Sequence, residues 1–252
     1  MPLSERPAEH SAEHPVDRLI LALDLPDPKE ALRRVDELAG LIRIFKVGST
    51  LYTASGPPLI QEIKKRGGEV FLDLKFHDIP NTVAGATLQA ARQGVRMMTL
   101  HTLGGREMIR KGVEAVREAS GRGEILPPLL IGVTVLTSLD QAQLKETMKT
   151  SLTLEAMVLH LANLAREEGL DGVVASPREL VSLRKRLLPP FRLVTPGIRL
   201  DSDSSDDQKR FGTPRQAIYD GADYLVVGRP ILESKDKIKT VQAILSEIKE
   251  AG

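Results

Sequence analysis

The sequence predicts an α/β fold, a single-domain (β/α)8 barrel of the TIM type. Short apolar segments rich in β-branched residues alternate eight times with amphipathic helical segments. The 252 residues suit one such barrel. Polar residues recur where the predicted strands end, which is the face where barrel enzymes place their chemistry. These three observations together favour a barrel enzyme.

The eight predicted units run from residue 19 to residue 249. The predicted strands cover residues 19–23, 42–47, 70–74, 97–101, 129–133, 172–175, 192–195 and 224–227. The predicted helices cover residues 28–39, 57–66, 80–93, 106–119, 154–168, 178–186, 214–220 and 235–249. An open, doubly wound sheet is the alternative arrangement. No G-x-G-x-x-G follows the first strand, which weakens a dinucleotide-binding version of that alternative.

Composition excludes several classes of protein. The 35 basic and 34 acidic residues leave a net charge of +1, so no nucleic-acid-binding surface is indicated. The chain has no cysteine, which excludes disulfides, thiolate metal sites and cysteine nucleophiles. No apolar run approaches the roughly 18 residues of a membrane span. We therefore expect a cytoplasmic protein without nucleic-acid or membrane partners.

The first fifteen residues differ from the rest of the chain. They are polar, contain three prolines and lack the apolar centre of a secretion signal. His10 and His14 have a spacing that binds metal on a helix, but the prolines and low hydrophobicity favour a disordered tail. We expect a disordered tail over 1–15 and the barrel over 16–252.

The stretch at residues 70–82, VFLDLKFHDIPNT, is the centre of the functional prediction. Its first five residues predict a buried strand that ends in Asp73 and Lys75. These two residues are two apart, so an extended chain points both side chains to one face. Asp78 follows in the loop, and Pro80 suits the first turn of a helix. A surface ion pair and a helix-capping aspartate are the alternatives; burial of the strand favours a functional role.

Seven polar side chains from six strands converge on the same predicted rim. They are Asp24, Lys46, Asp73, Lys75, Thr137, Arg199 and Arg229. Loops after the seventh and eighth strands of such barrels often bind phosphate. Gly228 allows close backbone approach, and Arg229 supplies a bidentate cation. Arg199 has a surface ion pair as its alternative role, but its place after the Pro-Gly pair favours the site.

The polar segment 201–212 follows Arg199. It is either an inert acidic loop or a lid that closes over a ligand, and we favour the lid. Gln208 is its best candidate for direct contact with a ligand. Among the histidines, His77 ranks below the lysines as a general base, whereas His101 and Thr102 close the fourth strand and are candidates for lining the pocket.

DLKFHDIPNT resembles the signature of the orotidine 5′-phosphate decarboxylases, and the similarity extends over about residues 17–248. This resemblance implies an alternating catalytic array of Lys46, Asp73, Lys75 and Asp78. In that family the last aspartate and the Ile and Thr after it, here Asp78, Ile79 and Thr82, reach the neighbouring subunit's site. The resemblance therefore implies a homodimer with two shared sites.

The resemblance also implies the remaining contacts with the substrate. Asp24 and Lys46 would hold the ribose, and Thr137 would contact the pyrimidine or the lid. The phosphate would be held by Arg199, Gln208, Gly228 and Arg229.

The implied reaction converts orotidine 5′-phosphate to UMP and CO2 in the last step of de novo pyrimidine biosynthesis. No cofactor and no metal are expected. Asp73 would sit near the substrate carboxylate, and Lys75 would stabilise and protonate the C6 carbanion.

Two other functions remain open. Related barrels, sugar-phosphate decarboxylases and hexulose-phosphate synthases, share a D-x-K-x-x-D core but use magnesium to hold an enediolate. The continuation through residues 79–82 and the presence of Lys46 favour the nucleotide enzyme. A catalytically inert barrel that binds nucleotides or phosphate is the second alternative, and the intact array of lysines and aspartates argues against it.

Overall fold

The structure, a computed structural model, describes residues 14–200 and 212–251. Eight parallel strands pair in chain order, and the last pairs with the first to close a barrel. The strands are β1 (Leu19–Ala22), β2 (Ile44–Gly48), β3 (Glu69–Phe76), β4 (Met97–His101), β5 (Leu129–Val133), β6 (Gly172–Val174), β7 (Arg192–Thr195) and β8 (Tyr224–Val227). The predicted (β/α)8 barrel is confirmed, and the open sheet is excluded.

Helices surround the barrel. They are α1 (Pro15–Arg18), α2 (Pro28–Glu37), α3 (Ser49–Ser55), α4 (Pro57–Lys65), α5 (Pro80–Arg92), α6 (Gly105–Gly121), α7 (Gln141–Met148), α8 (Leu154–Glu167), α9 (Leu180–Arg184), α10 (Pro214–Tyr219), α11 (Arg229–Leu232) and α12 (Lys237–Ala251). Short 3-10 turns at Thr102–Gly104 and Pro177–Glu179 precede α6 and α9. None of the helices in the described part of the chain combines the length and apolarity needed to span a bilayer.

Four helices, α1, α3, α7 and α11, have no counterpart in the prediction. Each has eight residues or fewer, which is too short for a helical period to stand out in the sequence. Of the predicted tail over 1–15, residues 1–13 lie outside the described residues, and α1 begins at Pro15.

Capping residues explain where several helices begin. Asp27 accepts a hydrogen bond from the amide of Lys29 at the start of α2, and Thr153 does the same for Ala156 in α8. Pro28 occupies the first turn of α2, where its missing N–H costs nothing. These local signals lie where the predicted helices over 28–39 and 154–168 begin, so both helix starts agree with the prediction.

The strands are buried on both faces, as a parallel barrel requires. One set of side chains fills the barrel interior and the alternate set packs under the helices. The interior set is Ile20, Ala22, Ile44, Phe71, Met97, Ile131, Val194, Tyr224 and Val226. The barrel interior is therefore filled with packed apolar side chains, and polar groups can gather only at its two ends.

Strand β3 departs from regular pairing near its carboxyl end. Leu72 pairs with Met98 and Phe76 with Leu100, so residues 73–75 of β3 lie opposite the single residue Thr99 of β4. Within this bulge Lys75 adopts a φ of 51°, in the left-handed region that non-glycine residues seldom occupy. The prediction that the strand ends at residue 74 missed this bulge.

Candidate active site

A cavity of about 860 Å³ opens at the carboxyl end of the barrel. Its apolar floor consists of side chains from the barrel interior, such as Phe71 and Val194. Its polar rim contains eight of the predicted site residues: Asp24, Lys46, Asp73, Lys75, Thr137, Arg199, Gly228 and Arg229. The structure thus brings residues from β1, β2, β3 and the loops after β5, β7 and β8 to one place, as expected for a barrel site.

Lys46 lies between two carboxylates. Its Nζ is 2.8 Å from Oδ1 of Asp24 and 3.6 Å from Oδ2 of Asp73. The Lys46 side chain is only 11% exposed, whereas that of Asp24 is 59% exposed. A cation at this depth requires charged partners, and these two aspartates supply them.

Asp73 connects the two lysines. Its Oδ2 also accepts a hydrogen bond of 2.9 Å from Lys75 Nζ, and its Oδ1 accepts one of 3.0 Å from the Thr99 hydroxyl. Burial raises the pKa of Asp73, but Lys46, Lys75 and the hydrogen bonds from Lys75 and Thr99 outweigh burial. The net pKa lies below the ordinary value, so Asp73 is ionised at neutral pH.

Lys75 is more accessible than Asp73 and Lys46. Its side chain is 39% exposed, compared with 13% for Asp73, and it lines the cavity. The array therefore presents a cation to whatever occupies the cavity, with a fixed anion directly beside it. Such a preorganised pair can stabilise negative charge that develops on a bound molecule.

Thr99 is a site residue that the sequence interpretation missed. It is fully buried on β4, accepts a 2.8 Å hydrogen bond from the backbone amide of Lys75 and donates to Asp73. A single threonine in an apolar strand is ordinary, because β-branched residues favour strands. No sequence signal separated Thr99 from its neighbours.

Glycines shape the end of the cavity formed by the loops after β7 and β8. A Cβ on Gly228 would lie 3.3 Å from Ala22 Cβ, so a larger residue would crowd β1. Gly197, in the Thr-Pro-Gly turn before Arg199, has a φ of 77° that glycine adopts without strain. Arg199 and Arg229 both line this end. The arrangement offers two guanidinium groups beside close-packed backbone, which suits an anionic ligand.

The predicted lid falls largely outside the described residues, because 201–211, including Gln208, are not among them. Its last residue, Gly212, is held in place. The Arg199 amide donates to the Gly212 carbonyl at 3.0 Å, and the Gly212 amide donates to the Gly197 carbonyl at 3.1 Å. These bonds tie the end of the segment to residues that line the cavity.

Asp78, Ile79 and Thr82 do not join the cavity of their own chain. All three are exposed, and Ile79 is 68% exposed despite its apolar side chain. Ile79, not Asp78, occupies the N-cap position of α5, and no side-chain capping bond is formed there. The alternative role of Asp78 as the capping residue is therefore wrong.

The expectation for His101 and Thr102 is also wrong, since neither lines the cavity. The Thr102 hydroxyl donates to the Val133 carbonyl at 2.7 Å. His101 is buried and stacks on His77 with ring centroids 5.1 Å apart. Burial, with added repulsion from His77 and Lys75, lowers the pKa of His101 to about 4. The Thr102 hydroxyl is thus used in a bond to β5, and the His101 ring packs on His77 rather than in the cavity.

Comparison with known proteins identifies the family. The model described as "Orotidine 5'-phosphate decarboxylase / HUMPS family" matches residues 17–244. The chain belongs to this family. It is 49% identical over 234 residues to the orotidine 5′-phosphate decarboxylase of Syntrophotalea carbinolica, covering 93% of this chain and 96% of that protein. It is 46% identical to the enzyme of the same name from Moorella thermoacetica, over 93% of each chain.

Solved structures agree with the sequence relatives. The crystal structure of orotidine 5′-phosphate decarboxylase from Lactobacillus acidophilus has a TM-score of 0.80 and 34% identity, covering 91% of this chain and 98% of that chain. The resemblance predicted from DLKFHDIPNT is confirmed. Because the family description also includes the HUMPS group, the distinction between the two groups rests on the names of the relatives and on the polar array.

Three carboxylates line the cavity, those of Asp24, Asp73 and Glu233. Asp24 pairs with Lys46, and Asp73 pairs with both Lys46 and Lys75. Within residues 14–200 and 212–251, no three acidic or histidine side chains are grouped to hold a metal ion. The dominant charges available to a ligand at this end of the cavity are two lysines held by two aspartates.

Proposed function

We propose that this protein decarboxylates orotidine 5′-phosphate to UMP and CO2 without a cofactor. The observation that carries the proposal is the Lys46–Asp73–Lys75 array at the rim of a barrel cavity, in a chain of this family. Relatives 46–49% identical over more than nine tenths of this chain carry the name orotidine 5′-phosphate decarboxylase. This reaction is the last step of de novo pyrimidine biosynthesis.

In the proposed reaction the bond between C6 and the substrate carboxylate breaks. CO2 leaves, and the electron pair stays on C6. The Lys75 ammonium, 2.9 Å from Asp73, stabilises this developing negative charge and donates one proton to C6. Lys75 is left neutral and regains its proton from water. The ionised Asp73 beside the substrate carboxylate raises the energy of the bound substrate, an effect whose share in catalysis is debated.

A single preorganised electrostatic contact contributes roughly 3–4 kcal/mol, so one lysine does not account for a large acceleration. Positioning and binding energy from the distant phosphate supply the rest. We assign the phosphate to Arg199, Arg229, the backbone at Gly228 and Gln208. We assign the ribose to Asp24 and Lys46. Thr137 is assigned to contact either the pyrimidine or the segment 201–212.

The decisive experiment follows the ultraviolet absorbance of orotidine 5′-phosphate mixed with the protein and EDTA. Loss of the orotate band with formation of UMP is the expected result. Turnover of a sugar phosphate only when magnesium is present would assign the protein to the HUMPS side of its family. Binding of UMP without turnover of either substrate would favour an inert, ligand-binding barrel.

We also propose a homodimer in which Asp78, Ile79 and Thr82 complete the neighbouring subunit's site. Their exposure and absence from the cavity of their own chain support this. An exposed isoleucine at the start of α5 suits burial by a second chain. The disordered tail over 1–15, the barrel domain over 16–252 and a cytoplasmic location remain predictions.

Ile79→Lys tests the dimer. We expect sedimentation velocity to show monomers and the specific activity to fall, because Asp78 no longer reaches a partner. Ile238→Lys is the matched control, since Ile238 is another exposed isoleucine, on α12. A fully active monomer would contradict the shared site.

A further inference from the structure

Thr99 lies where β4 pairs with the bulge of β3, and its hydroxyl contacts both the Lys75 amide and the Asp73 carboxylate. It is the only residue of β4 between Met98 and Leu100, yet it lies opposite residues 73–75 of β3. Two extra residues in one strand leave backbone groups without regular ladder partners. The Thr99 hydroxyl takes over part of that pairing, because it accepts from the Lys75 amide at 2.8 Å.

The direction of both hydrogen bonds at this hydroxyl follows from the chemistry of its partners. A backbone N–H can only donate, so Thr99 Oγ1 must accept from Lys75. An ionised carboxylate can only accept, so the single hydroxyl proton must point to Asp73 Oδ1, 3.0 Å away. The hydroxyl is fully buried and cannot exchange either partner for water. Its orientation is therefore determined by both groups at once.

These two bonds control the geometry of the array. The bond to Oδ1 leaves Asp73 Oδ2 facing Lys75 at 2.9 Å and Lys46 at 3.6 Å. The bond to the Lys75 amide supports a backbone φ of 51°. The direction of the Lys75 side chain depends on this backbone conformation, because a change of φ at Lys75 reorients its Cα–Cβ bond relative to the strand. Loss of the hydroxyl would therefore misplace the ammonium relative to the carboxylate.

We propose that Thr99 is a positioning residue that sets the Asp73–Lys75 pair in its reactive arrangement. The proposal rests on the proposed decarboxylase function, because it assigns Lys75 the reacting proton. Thr99 is not among the residues that line the cavity, so we assign it no direct contact with the substrate.

Thr99→Val tests this directly, since valine keeps the shape of threonine but forms neither hydrogen bond. We expect kcat to fall about 100-fold, the size of effect that a small misplacement of reacting groups produces. KM should change less than about threefold, because the phosphate contacts are distant. Thr99→Ser keeps the hydroxyl and should restore kcat to within about fivefold of the wild type.

Thr134→Val is the matched control. Thr134 is equally buried just after β5, and its hydroxyl donates only to the Val174 carbonyl at 3.1 Å. This variant loses a buried hydrogen bond without contact to Asp73 or Lys75. We expect a similar loss in thermal stability but a kcat within twofold of the wild type. Equal kcat values for Thr99→Val and Thr134→Val would overturn the proposal.

The pH profile separates positioning from packing. Thr99→Val removes one donor from Asp73, so the acid limb of kcat/KM should move to higher pH, and Thr99→Ser should return it. The charged groups around Asp73 are Lys46 from β2, Lys75 from β3 and, through Lys46, Asp24 after β1; His101 of β4 faces Lys75. All remain in both variants. An unchanged acid limb in Thr99→Val would count against the proposal.

Crystal structures of the variants test the inference independently of activity. In Thr99→Val, Lys75 should leave the left-handed region and its Nζ should move away from Asp73; in Thr99→Ser both should stay. An unmoved Lys75 in Thr99→Val would refute the positioning role, even if the wild type proved inactive on orotidine 5′-phosphate. If Thr99→Val does not fold, Thr99→Ala removes the same bonds and serves in its place.

Discussion

Each end of the barrel carries a cluster of basic side chains paired with aspartates, but the two clusters are bonded in different ways. At the amino end, Arg184 donates to the backbone carbonyls of Leu187, Phe191 and Gly221 and also to the Asp223 carboxylate. At the carboxyl end, the Lys46 and Lys75 ammonium groups pair with carboxylates and line the large cavity. The cluster at the amino end stabilises the backbone between β6 and β8, and the cluster at the carboxyl end faces a cavity that a ligand can fill.

Asp223 shows the structural role most clearly. Its Oδ2 accepts from the Leu193 amide at 2.7 Å, and its Oδ1 lies 3.4 Å from Arg192 Nη1. Arg18 donates to the Asp223 and Ala222 carbonyls, which connects the start of β1 with the start of β8. These hydrogen bonds to the backbone support the pairing of β8 with β1 that closes the barrel. The comparison teaches that what a charged side chain contacts, the backbone or an open cavity, distinguishes a structural role from a chemical one.

Lys75→Ala should show the largest effect and test the carboxyl end. We expect kcat to fall by at least about 1000-fold, because both charge stabilisation and proton donation are lost. The thermal midpoint should change little, since Lys75 is substantially exposed. Turnover by the absorbance assay and circular dichroism on heating provide the two measurements. Activity close to that of the wild type would refute the assigned role.

Arg184→Ala should show the opposite behaviour at the amino end. Removal of the guanidinium takes one charged partner from Asp223 and a donor from the Leu187, Phe191 and Gly221 carbonyls, so the free energy of unfolding should fall by about 3 kcal/mol. The kcat of the folded variant should match the wild type at 25 °C. Urea unfolding measures the first quantity and the absorbance assay the second.

Arg33→Ala is the control for that variant. Arg33 is 68% exposed and pairs with Glu30 along α2, so its loss should leave the urea unfolding midpoint close to that of the wild type. A kcat of the folded Arg184→Ala variant well below that of the wild type at 25 °C would show that the two ends are coupled.

His101 gives the smallest predicted effect and lies near the carboxyl end without lining the cavity. Its pKa is about 4 in the folded protein, against an ordinary value of 6.5, so the unfolded state binds more protons between these values. Its contribution to stability should therefore decline as the pH falls from about 6.5 to about 4. His101→Asn should make urea unfolding less sensitive to pH over that window.

His160→Asn is the matched control, because His160 is an exposed histidine on α8. The acid dependence of unfolding should not change in this variant. An identical acid dependence in the wild type and His101→Asn would show that the buried histidine does not contribute.

Much of the site was predictable because barrel enzymes follow simple local rules. The alternation of apolar strands and amphipathic helices located all eight strands, although β2 was predicted two residues too early. Asp24, Lys46, Thr137, Arg199 and Arg229 were each identified as polar residues that follow an apolar strand, and all line the cavity. Parallel strands place their carboxyl ends on one face, so position along the chain was enough.

Asp73 and Lys75 were predicted to share a face for a reason that the structure does not support. Their side chains meet at 2.9 Å, but Lys75 has left-handed backbone geometry rather than extended geometry. The bulge that produces this geometry depends on how β3 pairs with β4. That pairing is set by closure of the whole barrel, which no local pattern encodes.

The sequence by itself determined the fold class, the family and the polar residues at the strand ends, because periodicity and motifs are local properties of the chain. Only the tertiary structure decided that Thr99 bonds to both Asp73 and Lys75, and that His101, Asp78 and Ile79 do not line the cavity. These outcomes depend on strand register and side-chain direction between segments distant in the chain. Such contacts exist only once the barrel has closed.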